Sequence, residues 1–318
     1  MGVRLLNTLM QGLNTDGINR INLKHLEGKR IVVDANIYMY RYAAMDNILE
    51  NFYLMCSIMR HYDIHPLFIF DGTIKPQEKT EALQQRKYIK KQNKELLTNL
   101  SRDLESDKDN TTIKKQITAL KFKCASFTKK DLENVKNLFD SYGIMYRTAE
   151  GEADELCAAL VLEKKAYACL TEDTDLFVYG CPRILKYFSG ANHNVMLYEL
   201  DEILKSLEVS FTEFQELCCF SGTDYNIKEK SNIFDNLESL NKYKLSNDND
   251  NDGFIKWLYK NNKITKDELD CLHKVINIYN INSKKVLNTI DYFVIRNKYL
   301  NYHKIKKLLS KQGFVFIN

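Results

Sequence analysis

Residues 30–44 read RIVVDANIYMYRYAA, a β-branched run closed by Asp34 and followed by a stretch of helical character. Arg30 to Val33 fits a buried strand, and Ala35 to Ala44 fits a helix leaving that strand at its carboxyl end. Asn47 to His61 continues as a second helix with apolar positions at Phe52, Met55, Ile58 and Met59. Leu67 to Phe70 is the next strand, closed by Asp71-Gly72. Strand, crossover helices and strand make a parallel α/β unit. Ligands of such sheets bind beyond the carboxyl ends of the strands, where Asp34 and Asp71 stand.

The alternation resumes farther along. Asp131 to Phe139 reads as a helix, Gly143 to Tyr146 as a strand and Glu152 to Lys164 as a helix. Tyr167 to Leu170, Ile184 to Phe188 and Val195 to Tyr198 read as strands, and Ser210 to Phe220 as a helix ending in Ser221-Gly222-Thr223-Asp224. The expected fold is α/β, a mostly parallel twisted sheet flanked by helices. Between Lys75 and Lys130 the chain is rich in Lys and helical in propensity, with a polar break at Ser106 to Asn110. It is either a solvated helical hairpin or a basic arm above the sheet edge. Beyond residue 226 the chain is helical and rich in Asn and Lys, with a loop at Asn247 to Asp252. The expected organisation is a core over residues 1–225, with the arm at about 75–130 inserted, and a helical region over 226–318.

Composition bounds the rest. A chain of 318 residues with a net charge of +4 has room for a large core and no overall bias toward polyanions. None of its eight cysteines forms a CxxC pair, and most lie in apolar surroundings, which suits buried thiols in a reducing compartment. His61 and His65 read as surface or packing residues rather than zinc ligands. The start, MGVRLLNTLM, fits neither a signal peptide nor a myristoylation site, and no stretch reaches the length of a membrane span. A soluble, intracellular protein is expected.

Seven acids close apolar runs or open helices: Asp34, Asp71, Glu152, Asp154, Asp173, Asp175 and Asp224. Each alone has an ordinary explanation. Asp34 and Asp173 suit helix N-caps, Asp71-Gly72 suits a turn, and Glu152 and Asp154 suit a first helical turn. Jointly they are harder to explain away, because gathered carboxylates repel one another unless cations neutralise them. Hard cations with oxygen ligands remove that cost, and the chemistry they suggest is two-metal phosphoryl transfer.

The segments VDANIYMY, FIFDG, EGEADELCAALV, LTEDTDLFVYG and FSGTDY, in this order and spacing, resemble the flap endonuclease/XPG (Rad2-type) family of structure-specific 5′ nucleases. The resemblance covers roughly residues 1–225. It implies a 5′-nuclease fold of the PIN type with a helical arch over the active site and a DNA substrate cut near 5′ ends or single-strand/duplex junctions. Asp34, Asp71, Glu152 and Asp154 match the family's acids around one metal, and Asp173, Asp175 and Asp224 those around the second. The implied cofactor is a pair of Mg²⁺ ions, for which Mn²⁺ is expected to substitute. Asp154 stands where the family usually has Glu. Lys79 and Arg86 best match the arch Lys and Arg that face the scissile phosphate, with Lys87, Lys90 and Lys91 as competing contacts. Gly2 matches a glycine near the active site, and Tyr40 an aromatic that stacks on an unpaired nucleotide, or else is a core tyrosine between Tyr38 and Tyr42.

The chain departs from the family after Asp224. No glycine stands between Gly222 and Gly253, so the helix-hairpin-helix nest that grips duplex phosphates and K⁺ is degenerate, with Lys228 and Lys230 as remaining contacts. Gln312 to Phe316 imitates only the beginning of the family's sliding-clamp motif. Such losses suit a divergent member of the kind carried by large DNA viruses, acting as a monomer in the nucleus or in a cytoplasmic DNA-replication compartment. Two other readings stay open: a relative that degrades RNA, and a catalytically dead nucleic-acid-binding scaffold.

Overall fold

The computed structural model describes residues 2–74, 77–106, 109–226, 232–246, 253–282, 286 and 295–316. Lys228, Lys230 and the expected loop at Asn247 to Asp252 lie outside the described residues. The chain opens with α1 (Leu6–Gln11) and an edge strand β1 (Ile18–Asn22), followed by β2 (Arg30–Asp34), α2 (Ala35–Ala44), α3 (Ile48–His61) and β3 (His65–Phe70). Two long helices come next, α4 (Thr80–Ser106) and α5 (Thr111–Cys124). Then follow α6 (Lys129–Tyr142), β4 (Met145–Thr148), α7 (Ala153–Leu162), β5 (Ala168–Leu170), the single-turn α8 (Asp175–Val178), β6 (Arg183–Ser189) and β7 (Asn194–Glu199). The described chain continues through α9 (Leu200–Leu207), α10 (Phe211–Ser221), α11 (Ile233–Leu245), α12 (Phe254–Lys260), α13 (Lys266–Tyr279) and α14 (Tyr302–Ser310).

The seven strands form one sheet in the order β1-β7-β6-β5-β2-β3-β4. β6, β5, β2, β3 and β4 run parallel, and β7 and β1 complete one edge antiparallel. Strand periodicity sorts the side chains to two faces. Val32, Leu67, Ile69, Cys169 and Ile184 enter one core with α1, α7, α9 and α10. Ile31, Val33, Phe68, Phe70, Leu170 and Leu185 enter the other with α2, α3 and α6. Such two-sided burial explains why the central strands read as continuous apolar runs.

The C-terminal helices join both cores. Ile233, Leu240, Phe254, Leu272, Val275 and Tyr279 extend the first, and Ile305 and Leu309 of α14 extend the second. Phe314 and Phe316 fold back on Tyr53, with ring centroids 5.3 and 6.3 Å away. The segment that imitates the clamp motif is therefore packed against α3.

α4 and α5 lie against each other, and α5 also packs against α2. Asn110 caps α5, its Oδ1 accepting from Ile113 N at 3.0 Å. At about 1.5 Å per residue, α4 is roughly 40 Å long, and few of its side chains are buried. A surface this polar cannot be core, and the N-terminal part of α4 is tied to the body through Arg86, which pairs with Asp224.

Candidate active site

All seven acids stand at or beside the carboxyl edge of the parallel strands. Asp34 ends β2 and occupies the N-cap position of α2, where its carboxylate falls short of a full capping bond and draws only a weak pull from the Ile37 N–H. It turns into the pocket instead, where Oδ2 accepts from Thr171 Oγ1 at 3.1 Å. Asp71 follows β3 and does act as a cap, but for a helix distant in sequence: its Oδ1 accepts from Ala153 N of α7 at 3.0 Å. That bond needs the β3 and β4 exits to touch. Gly72 permits it, since a Cβ there would collide with the backbone carbonyls of Ala149 and Glu150.

Glu152 precedes α7 without capping it, and Asp154 lies in its first turn. Asp173 lies beyond β5, and its N–H donates to Thr171 Oγ1 at 3.1 Å. Its Oδ1 accepts from Asp175 N at 3.2 Å. The expected Asp173 cap is not formed, because α8 starts at Asp175 behind Thr174. Gly2, at φ +80°, brings the N-terminal backbone against this pair: a Cβ there would collide with Asp173 Oδ1 and Thr174 Oγ1.

The charges are crowded. Asp34 is pushed up to about 7, first by burial and then by the charges of Asp71 and Asp173, against the Thr171 hydroxyl and the Ile37 N–H. Burial, then Asp173, Asp34 and Asp175, raises Asp154 well above the ordinary carboxylate range, and Lys79 pulls the other way. Burial, then Asp173 and Asp224, does the same to Asp175, with Lys79 and the Tyr279 hydroxyl pulling the other way. Asp175 Oδ1 is buried without a hydrogen-bond partner.

A carboxyl raised above its unfolded value of 3.8 favours the fold most at low pH. That contribution is lost as pH rises through about 7. In chelator, the wild-type thermal midpoint is therefore expected to fall as pH rises from about 5 to about 8. Asp34→Asn should flatten that slope and raise the midpoint at the upper pH by several degrees, read by scanning calorimetry. A midpoint lowered by the substitution would show that the Asp34 charge is not repelled.

Two arm cations reach the acids. Lys79, 4% exposed, donates to Glu152 Oε2 at 2.6 Å. Burial pulls its pKa down, and Tyr225, Asp175 and Glu152 more than reverse this, so the ammonium stays charged. Arg86 pairs with Asp224 Oδ1 at 2.5 Å. Lys87 and Lys91 are exposed to solvent, whereas Lys90 donates to Ala125 O at 2.5 Å. Tyr38 and Tyr42 are core residues, but Tyr40 is 45% exposed and lies against Phe127 at 4.9 Å between centroids.

Sequence reasoning missed several neighbours. Lys186 of β6 is 2% exposed and donates to Glu172 O at 3.0 Å, tying the loop that carries Asp173 to the next strand. Its only signal was a lysine inside the apolar RILKYF run. Tyr225, adjacent to Asp224, donates to Glu152 Oε2 at 3.0 Å.

Among the described residues, no three His, Cys, Asp or Glu side chains form a ready-made ligand group around one ion. The donor set still suits hard cations. It is all oxygen, it includes the unpartnered Asp175 Oδ1, and Mg²⁺ needs only one or two direct carboxylates because it keeps several waters. Carboxylates gathered at a parallel sheet edge beneath a cation-bearing arm are the equipment of a phosphodiester-cleaving enzyme.

The chain belongs to the XPG family: the XPG N-terminal domain matches residues 1–93 and the XPG I-region residues 143–224, together more than half of the chain. It is 28% identical over 243 residues to flap endonuclease 1 of Encephalitozoon cuniculi, covering 71% of this chain and 68% of that one. Other flap endonucleases are matched over 61% of their length. The catalytic core of Rad2, solved in complex with DNA substrate, shares the fold with a TM-score of 0.66 at 21% identity, over 98% of this chain and 96% of that chain. A Holliday junction-resolving enzyme, GEN1, solved with product DNA and Mg²⁺, does so with a TM-score of 0.54 at 16% identity, over 98% and 68%.

Proposed function

We propose that this protein is a divalent-metal-dependent, structure-specific 5′ nuclease. It hydrolyses DNA phosphodiester bonds near a 5′ end or a single-strand/duplex junction, in replication, repair or recombination. One observation carries the reading: seven acids converge at the sheet edge, and two cations of the overlying arm, Lys79 and Arg86, are paired with two of them.

Asp34, Asp71, Glu152 and Asp154 are the residues to hold one ion, and Asp173, Asp175 and Asp224 the other. Mg²⁺ is the proposed ion, with Mn²⁺ able to replace it. When bound, the ions supply an activated water and charge neutralisation at the leaving oxygen. The protein's own residues do the rest. Lys79 and Arg86 offer positive charge to the phosphate oxygens as negative charge develops on them. Tyr40, the exposed aromatic of α2, offers a stacking face to the base beside the cut. Lys87 and Lys91 hold the approaching strand by charge, which makes binding salt-dependent. Gly2 keeps the N-terminal backbone close to Asp173 without filling the space a phosphate needs.

DNA is the proposed partner, met by a single copy of the chain. The proposed place of action is the nucleus or a cytoplasmic site of DNA replication. Among the described residues, no helix is long and apolar enough to cross a membrane.

The deciding experiment incubates purified protein and Mg²⁺ with 5′-flap DNA, nicked duplex, single-stranded DNA and single-stranded RNA. Preferred cleavage of a DNA carrying a 5′ end or junction is expected. Cleavage confined to RNA would transfer the reading to transcript degradation, and binding without cleavage of any substrate would leave a scaffold.

A further inference from the structure

We propose that Tyr225 is a positioning residue whose ring face holds the Lys79 ammonium at the mouth of the acid pocket. The Lys79 Nζ lies 4.4 Å from the centre of the Tyr225 ring, well inside the distance at which a cation is drawn to an aromatic face. The same ammonium and the Tyr225 hydroxyl meet at one atom, Glu152 Oε2, at 2.6 and 3.0 Å. Lysine, tyrosine and glutamate thus form a closed triangle linking the foot of the arm, the α10 exit and the start of α7.

The ring itself is fixed. Tyr225 N donates to Thr223 Oγ1 at 3.1 Å, and Thr223 N and Oγ1 donate to Asn226 Oδ1 at 3.1 and 2.7 Å. Asn226 Nδ2 is anchored in turn on Cys219 O at 2.8 Å. Tyr279 stands perpendicular to the ring at 5.4 Å, and the Tyr179 and Tyr225 hydroxyls are 3.4 Å apart. Tyr225 is therefore a rigid post, whereas Lys79 belongs to the short turn Gln77–Lys79 that leads into a solvated helix.

A neutral ring is the right partner here. Glu152 is one of the acids proposed to hold a metal ion, so a bound ion would share its charge with Lys79. A lysine held by Glu152 alone would loosen whenever Glu152 turned toward the cation. An aromatic face keeps the ammonium in place without competing for the ion and without neutralising the charge that the phosphate needs.

This inference rests on the nuclease reading, so its test includes a measurement that needs no cleavage. Tyr225→Phe removes the hydroxyl and keeps the ring. Phenylalanines carrying more fluorine atoms at position 225 then drain the ring face while preserving its shape, which avoids variants that fail to fold. Two quantities are followed: the single-turnover cleavage rate in saturating Mg²⁺, and acetylation of the Lys79 amine relative to Lys87, resolved by mass spectrometry. Tyr225→Phe should change Lys79 acetylation by less than about threefold, and, measured against Tyr225→Phe, full fluorination should slow cleavage and speed Lys79 acetylation by about tenfold, in graded steps. In a Lys79→Ala background the fluorine series should leave the remaining cleavage rate flat. Acetylation that ignores fluorine content, or a Lys79→Ala series as steep as the wild-type one, overturns the proposal. Graded acetylation in a protein that cleaves nothing upholds the contact and removes the nuclease reading instead.

Discussion

Asp175→Asn and Asp71→Asn are each expected to lower phosphodiester cleavage by at least about 10³-fold while the protein stays folded. Asp175 is 1% exposed, and its Oδ1 has no hydrogen-bond partner. A buried carboxylate that neither caps nor bonds through that atom adds little to the fold, so its replacement by the isosteric amide should leave the thermal midpoint unchanged or raise it. Asp71 is the more demanding case, because its Oδ1 caps α7 through Ala153 N. Asn retains a carbonyl oxygen at that position, so the cap survives while the charge is lost. Circular dichroism and thermal melts establish the fold, and single-turnover assays in Mg²⁺ establish the rate. Chelator should silence the wild type to the same level. A folded Asp175→Asn protein that cuts at the wild-type rate would remove the two-metal model.

The two-sided burial of the parallel sheet explains how much of the fold could be read in advance. Val32 and Val33 point to opposite cores, so the run preceding Asp34 had to be apolar without interruption, and its end was visible as an acid. The same holds for the runs before Asp71 and Asp173. The edge strand Ile18–Asn22 was not visible, because INRIN holds only two apolar residues, Ile18 and Ile21, half-buried against opposite cores and without strict alternation. α1 was missed because its six residues are too few for helical periodicity to declare itself, whereas α9 was legible, with Leu200, Ile203, Leu204 and Leu207 at the helical i, i+3, i+4, i+7 spacing.

The candidate site divides along similar lines. Acids at the ends of strands can be found from sequence because the strand marks them. The contacts among them cannot, because they join segments far apart in the chain. Asp71 reaches α7 and Lys186 reaches Glu172, and no local pattern announces either pair. The cap expectation for Asp34 shows the limit most clearly. Its backbone takes the N-cap place, but the Thr171 hydroxyl across the sheet captures the carboxylate. Local propensity placed the residue, and tertiary structure redirected its side chain.

Lys79→Ala is expected to lower the single-turnover rate by on the order of 10² to 10³, the loss that follows removal of one preorganised charge stabiliser. Arg86→Ala should fall in the same range. Both side chains reach the acid pocket, Lys79 at Glu152 from the turn that precedes α4 and Arg86 at Asp224 from the second turn of α4. They differ in burial: Lys79 is 4% exposed, whereas the Arg86 side chain is 43% exposed. Added salt should therefore weaken the Arg86 contribution more than that of Lys79, because screening reaches the open guanidinium first. Lys87→Ala and Lys91→Ala are the controls. Both side chains point to solvent, so their loss should weaken DNA binding and flatten its salt dependence while leaving the rate on saturating substrate within about threefold. The discriminating comparison is rate at saturation against affinity. If all four alanine variants lose affinity alone, the arm is an electrostatic surface, and the pairing of Lys79 and Arg86 with the pocket acids has no part in the chemistry. If Lys79 and Arg86 separate from the two controls in rate, the arm carries its chemistry on the face that meets the sheet edge.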